Sequence, residues 1–191
     1  MIQDIAPHRL YNHYDPGIRP EPDSYVMIFR GGGEVLLSDT PGRVVYPRVR
    51  ELFGEEIPPL RYLFSIDADR YFLCREETAC GAVPDRHTDG PDGGLRIPDG
   101  FHFHNVRTLR RMDLSPREAI FAAFTGEQIY RWYRDNRFCG RCGTPTAHDG
   151  KERMMRCPNC GNMIFPRIAP AAIIALTHGN KLMLSKYANR N

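Results

Sequence analysis

Short apolar runs separated by glycine or aspartate turns predict two β-hairpins in the first half of the chain. Ser24 to Arg30 (SYVMIFR) reads as a strand and Glu34 to Ser38 (EVLLS) as its partner. Gly31, Gly32 and Gly33 between them supply the positive φ angles of a tight turn. Leu60 to Ile66 and Arg70 to Cys74 form a second pair across Asp67-Ala68-Asp69. Before these strands, Pro7, Pro16, Pro20 and Pro22 predict an irregular arm laid over the surface. Residues 84–100 hold Pro84, Pro91, Pro98 and four glycines, the composition of a surface loop. Phe101 to Met112 fits either strand or loop, with Phe101, Phe103 and Val106 as candidates for burial.

A period of nearly four then sets in. Ser115-Pro116-Arg117-Glu118 places a hydroxyl at N-cap, proline at N1 and a carboxylate at N3, the arrangement of a capping box. Ala119, Ile120, Ala123 and Phe124 follow at helical spacing, and Ile129, Trp132 and Tyr133 define a second apolar face. Gly126 between the two is expected to break or bend the helix. Further on, Ile168 to Thr177 reads as a buried strand, with Lys181 to Ser185 as its hairpin partner across His178-Gly179-Asn180. Strands and helices in this order predict an α+β fold.

Composition narrows the class of protein without naming a function. The 191 residues are 41% apolar and 26% charged, which fits a globular protein in water. A formal charge of +3 does not by itself call for a nucleic-acid or membrane partner. The longest apolar run, Ile168 to Leu176, is too short for a membrane span. The opening MIQDIAPHRL lacks a basic stretch followed by an apolar one, so a cytoplasmic protein without a secretion signal is expected.

Six cysteines are many for a reducing compartment, and four of them explain themselves by spacing. Cys139-x2-Cys142 is followed, fourteen residues later, by Cys157-x2-Cys160. Each CxxC turn points two thiolates at one ion, and Gly143 and Gly161 after the turns let the chain fold back. A short hairpin between the pairs brings the second knuckle beside the first. The set predicts a zinc ribbon over residues 137–166, following an N-terminal α+β domain of residues 1–136. Four protein thiolates leave zinc no open position, so the metal is structural. A dithiol redox pair or disulfides are the competing reading of a CxxC, but two pairs at this separation favour zinc. Cys74 and Cys80 do not share the spacing and read as buried or idle thiols.

The run Phe138-Cys139-Gly140-Arg141-Cys142-Gly143, then Cys157-Pro158-Asn159-Cys160, then Phe165-Pro166-Arg167-Ile168-Ala169-Pro170, resembles the NADH pyrophosphatase branch of the Nudix hydrolases. The resemblance covers roughly residues 130–187. It implies hydrolysis of the pyrophosphate of NADH or NAD to nicotinamide mononucleotide and AMP. Some members also remove NAD caps from RNA. It further implies a homodimer, and Mg²⁺ or Mn²⁺ held by glutamates of the Nudix box, with residues 167–191 as the start of the Nudix domain. Cleavage by water needs neutralised phosphate oxygens, which is what a divalent metal on several carboxylates provides.

The box G-x5-E-x7-R-E-U-x-E-E-x-G-U, with U a bulky apolar residue, does not occur in the 191 residues. Arg75-Glu76-Glu77 fails because its metal carboxylates would be Ala79 and Cys80, and Arg117-Glu118-Ala119 because they would be Phe121 and Ala122. No catalytic residue is therefore assigned, and the chain is expected to be an inactive fragment whose catalytic box lies beyond Asn191. For substrate binding the resemblance points to Glu152, where the family has an acidic residue, and to Phe165, where it has an aromatic near a base. It also points to Arg110, ahead of the helix, although Arg107 and Arg111 crowd the same stretch. Glu152 also reads as a solvated ribbon charge and Phe165 as a core aromatic. His102 and His104 alternate on a possible strand without a third metal ligand. The Arg131, Arg134 and Arg137 series reads as a solvated helix face, with phosphate tracking as a lesser reading. The alternative function is a ribbon module that recognises RNA or protein without catalysis.

Overall fold

The computed structural model describes residues 3–38, 42–54, 56–74, 97–185 and 188. In chain order the elements begin with β1 (Leu10–Tyr11), β2 (Tyr25–Arg30), β3 (Glu34–Leu37) and the short helix α1 (Val49–Leu52). There follow β4 (Arg61–Ile66), β5 (Asp69–Cys74), β6 (His102–Asn105), α2 (Val106–Leu109) and the long helix α3 (Arg117–Asp135). The ribbon supplies β7 (Ala147–His148), β8 (Met155–Arg156) and β9 (Met163–Ile164), and β10 (Thr177–His178) and β11 (Lys181–Leu182) close the series. The α+β expectation holds.

Both expected hairpins form and join one six-stranded sheet, in the order β1-β4-β5-β2-β3-β6. Pairing is antiparallel except between β2 and β5, which run parallel. The first turn is tight because Gly32 and Gly33 take φ of 87° and 77°. Strand β2 is apolar on both faces, and both are covered. Met27 and Phe29 point into the core beneath α3, while Val26 and Ile28 join Val49, Leu36 and Cys74 in a smaller cluster. Each such fully buried side chain contributes about 1.5–3 kcal/mol relative to exposure. Tyr46 is buried with its hydroxyl donating to the Ala119 carbonyl at 2.7 Å, which ties the loop before α1 to α3.

Several local expectations give way. The capping box is not made: α3 starts at Arg117 behind Pro116, with no side-chain cap. Ser115 is engaged elsewhere, its N–H donating to Gly42 O and its carbonyl accepting from Val44 N–H. Gly126 does not interrupt the helix, which runs unbroken for 19 residues. It marks instead the closest approach of helix and sheet, where a Cβ would stand 2.6 Å from Met27 Sδ and 3.0 Å from Phe29 Cζ. The ambiguous 101–112 stretch resolves into β6 and α2, with Val106 buried and Phe101 and Phe103 half-buried. The N-terminal arm contributes β1, paired with β4. Cys74 is buried as expected but is disulfide-bonded rather than a free thiol, and Cys80 lies outside the described residues. Most of the expected loop at 84–100 also lies outside them.

The largest departure is at the other end. The β10–β11 hairpin forms as expected, yet Ile168 to Leu176 is neither strand nor buried. Ile168 is 87% exposed and Ile174 83%. Among the described residues no sheet covers this segment, so its apolar side chains have nothing to pack against.

Two predictions follow from this packing. Gly126→Ala gains about 1 kcal/mol of helix propensity but overpacks Met27 and Phe29, which costs about 1–3 kcal/mol. The urea midpoint should therefore fall; a rise would show that Met27 can swing aside. The second concerns the arm, pinned by His8 Nδ1 to Asp67 Oδ2 at 2.7 Å, with Arg9 N–H on Asp67 Oδ1 at 2.9 Å. The Asp67 carboxylate raises His8 above 6.5, so the pin is at full strength below that pH and fades as pH rises through the raised value. The His8 ring in turn lowers Asp67 below 3.8, so at the acid end the pin is lost as pH falls through that lowered value. Titrating His8 by NMR in Asp67→Asn should return it toward 6.5; an unchanged midpoint would contradict the pin.

Candidate metal centre

The ribbon begins where α3 ends. Asn136 carbonyl accepts from Thr146 hydroxyl at 2.5 Å and Arg137 carbonyl from Thr146 N–H at 2.9 Å, so the first knuckle leaves the helix at a fixed angle. The two CxxC turns then repeat one hydrogen-bond pattern. Gly143 N–H donates to Cys139 O at 2.8 Å and Cys139 N–H to Thr144 O at 2.8 Å. In the second turn Gly161 N–H donates to Cys157 O at 3.0 Å and Cys157 N–H to Asn162 O at 2.9 Å. Gly143 and Gly161 take φ of 74° and 69°, which lets each chain reverse without a Cβ in the way. Strands β7, β8 and β9 form the small antiparallel sheet that holds the turns together.

The four sulfurs converge. All lie within 4.8 Å of one another. Cys139 and Cys160 are 3.6 Å apart, Cys142 and Cys157 3.5 Å, and Cys142 and Cys160 3.6 Å. A tetrahedron with Zn–S of about 2.3 Å has sulfur edges of about 3.8 Å. The donor set thus fits zinc in both chemistry and size. Backbone N–H groups face the sulfurs, Arg141 to Cys139 at 3.4 Å and Cys160 to Cys157 at 3.5 Å, and Asn162 Nδ2 lies 3.6 Å from Cys139. Such donors stabilise thiolates bound to a metal.

Without a cation Cys142 and Cys160 are driven in opposite directions. The Thr144 hydroxyl and N–H pull Cys142 down to about 6. The Asn162 N–H pulls Cys160 down, but burial and three neighbouring sulfurs together outweigh it and push it up to about 11. Thiols this close hold protons against one another, and a dication removes that conflict.

The ribbon is fastened to the sheet domain by polar and aromatic contacts. His148 on β7 lies between Tyr14 and Tyr133, with ring centroids at 5.3 and 5.6 Å, and its Nε2 is 3.0 Å from the Tyr133 hydroxyl. Arg153 donates to Asn12 Oδ1 at 2.7 Å and to the Leu63 carbonyl. Met155 on β8 is buried in the main core.

Beside this joint, between the second half of α3 and the exit of the ribbon, lies a cleft of about 440 Å³. Asn12, Arg131, Trp132, Arg153, Phe165 and Arg167 are among the residues that line it. Phe165 is 46% exposed, with its ring available at the cleft wall. Among the described residues, Trp132 Nε1 and Arg153 Nε are buried N–H groups without a hydrogen-bond partner. Glu152 is exposed on the β7–β8 turn, where its N–H donates to the Asp149 carboxylate at 3.1 Å, and it does not line the cleft. Arg110 is exposed at the end of α2, also away from it. The structure therefore joins Phe165 to Trp132 and Arg153, which the sequence did not single out as functional. A buried tryptophan on a helix reads as core, and only its missing acceptor sets it apart. His102 and His104 lie on β6, and among the described residues the cysteines are the sole cluster able to hold a metal.

The fit to zinc makes a clear prediction. Purified, reduced protein should carry one zinc per chain, and Cys157→Ser should bring the content close to zero. Loss of about 10 kcal/mol of binding free energy should open residues 138–166 to proteolysis. Zinc-free wild-type protein that stays resistant would contradict a structural metal.

Residues 134–165 match the family described as the NADH pyrophosphatase zinc ribbon domain. A relative in Pseudomonas aeruginosa (strain LESB58) named NAD-capped RNA hydrolase NudC is 44% identical over 59 residues, 31% of this chain and 21% of the relative. A protein of the same name in Chromobacterium violaceum is 34% identical over 71 residues, 37% of this chain and 27% of the relative. The match thus spans only about a fifth to a quarter of these relatives' length. Among the described residues no helix is long and apolar enough to cross a membrane. Over residues 134–165, then, this chain is similar to the NADH pyrophosphatase zinc ribbon domain, and the four cysteines that fit zinc lie within that segment.

Proposed function

We propose that this chain is the N-terminal and zinc-ribbon portion of a cytoplasmic, homodimeric hydrolase that cleaves the pyrophosphate of NADH or NAD, including NAD at RNA 5′ ends. The observation that carries the reading is the cleft at Phe165, set against a ribbon of this family type. A nucleotide offers a flat ring and an anionic linkage, and the cleft offers matching chemistry. The Phe165 ring stacks on a base, worth about 1–3 kcal/mol. Trp132 Nε1 and Arg153 Nε are N–H donors that a ligand acceptor would satisfy, which removes their desolvation cost. Arg167 lines the same cleft and complements phosphate oxygens. Glu152 and Arg110, to which the resemblance also points for substrate binding, do not line this cleft.

Mg²⁺ or Mn²⁺ on the glutamates of a Nudix box would neutralise the pyrophosphate and activate water. These 191 residues hold no such box, so by themselves they bind and orient rather than hydrolyse. The bare Ile173, Ile174, Leu182 and Leu184 support the same view, since an apolar face of this kind is ordinarily buried against a further domain.

The test is a protein in which these residues are followed by a complete box, loaded with zinc and given Mn²⁺ and NADH. Chromatography should show AMP and reduced nicotinamide mononucleotide, with Phe165→Ala raising KM by tenfold or more. Absence of AMP from zinc-loaded protein would sink the hydrolase reading and leave the ribbon as a binding module.

A further inference from the structure

A second cleft, of about 570 Å³, opens beside α3. It lies where the β2–β3 turn, α2 and α3 meet. Gly32 and Gly33 contribute backbone without side chains, and Val106 and Phe124 give an apolar wall. Arg107 comes from α2, and Arg131 and Arg134 from one face of α3. Glu127 is the acidic residue of the lining, so three guanidinium groups meet one carboxylate and two positive charges are left over.

The charges are arranged, not merely crowded. Glu127 is drawn into an ion pair with Arg131, one turn further along α3. Arg134 leans on Asp135, which is 53% exposed and outside the lining. Asn105 holds α2 in place, accepting from Arg107 N–H at 3.0 Å and donating to Gly32 O at 3.2 Å. Val106 N–H donates to Gly33 O at 2.9 Å. The glycine turn and the arginine-bearing helix are thus bound into one rim. Arg137, the next arginine of the helical series, does not line the cleft. A concavity that ends after three arginines suits a compact anion better than a long polymer.

We propose that this cleft binds a small ligand bearing a di- or triphosphate, held by Arg107, Arg131 and Arg134. Guanidinium forks pair with phosphate oxygens in bidentate geometry, and the excess of guanidinium over carboxylate in the lining matches the sign of such a group. The proposal goes beyond the hydrolase reading and does not rest on it, because it concerns binding on the sheet domain and needs no turnover.

Inorganic tripolyphosphate titrated into the zinc-loaded chain by calorimetry tests it. Saturable binding is expected, weakening as salt rises. Arg107→Gln and Arg134→Gln should each weaken it tenfold or more with unchanged circular dichroism, and Glu127→Gln should strengthen it. Arg117→Gln removes the same charge from the start of α3, outside the lining, and should leave binding as it was. The proposal is overturned if Arg117→Gln costs as much as Arg107→Gln, which would mean general surface charge. It is equally overturned if a single-stranded oligonucleotide binds with the Arg107 dependence while tripolyphosphate does not.

Discussion

Helix α3 crosses β2 so closely at Gly126 that any side chain there would overlap Met27 and Phe29. That crossing fixes the helix on the sheet, and the rest of the molecule is hung from the helix. Its first half seals the main core through Ala119, Ile120, Ala122 and Ala123. Its second half carries Arg131, which lines both clefts, and Tyr133, which receives the ribbon. Its last residues hand the chain to the first knuckle through Thr146. A rotation of α3 would displace both clefts and the metal centre together.

The features legible in the sequence were those written in local chemistry. Apolar strands with a glycine or aspartate turn between them need only neighbours a few residues away, and both hairpins formed. The cysteine pairs were legible for the same reason, since each knuckle is a closed local motif. What could not be seen depended on distant partners. Ser115 had the right neighbours for a cap but is engaged by Gly42 and Val44, far away in sequence. Gly126 looked like a helix breaker because the strand that requires it, β2, lies about a hundred residues earlier. Arg107 could not be separated from Arg110 and Arg111 until the turn of α2 placed it alone on the second cleft. Trp132 was legible as buried, whereas its unmatched N–H was not.

The joint between ribbon and sheet is more polar than a domain core. Arg153 is central to it, with its guanidinium on a strand carbonyl and an arm side chain and close to the Tyr14 ring. Burial lowers its pKa, although arginine remains charged at any ordinary pH. Breaking such a site by removing one partner is costly, because it strands a charge away from water. Directional bonds accordingly help to set the angle between ribbon and sheet, beside the apolar contact of Met155 with the core.

Met155 gives that joint a thermodynamic meaning. It belongs to the ribbon by sequence and to the main core by burial. Opening the ribbon withdraws it, and a vacancy the size of a methionine in a packed core costs about 2–5 kcal/mol. The sheet domain is therefore linked by mass action to free zinc: each tenfold rise in zinc above its dissociation constant adds about 1.4 kcal/mol to the folded state. A melting temperature for this chain has meaning only at a stated zinc activity, even when the signal followed comes from the sheet.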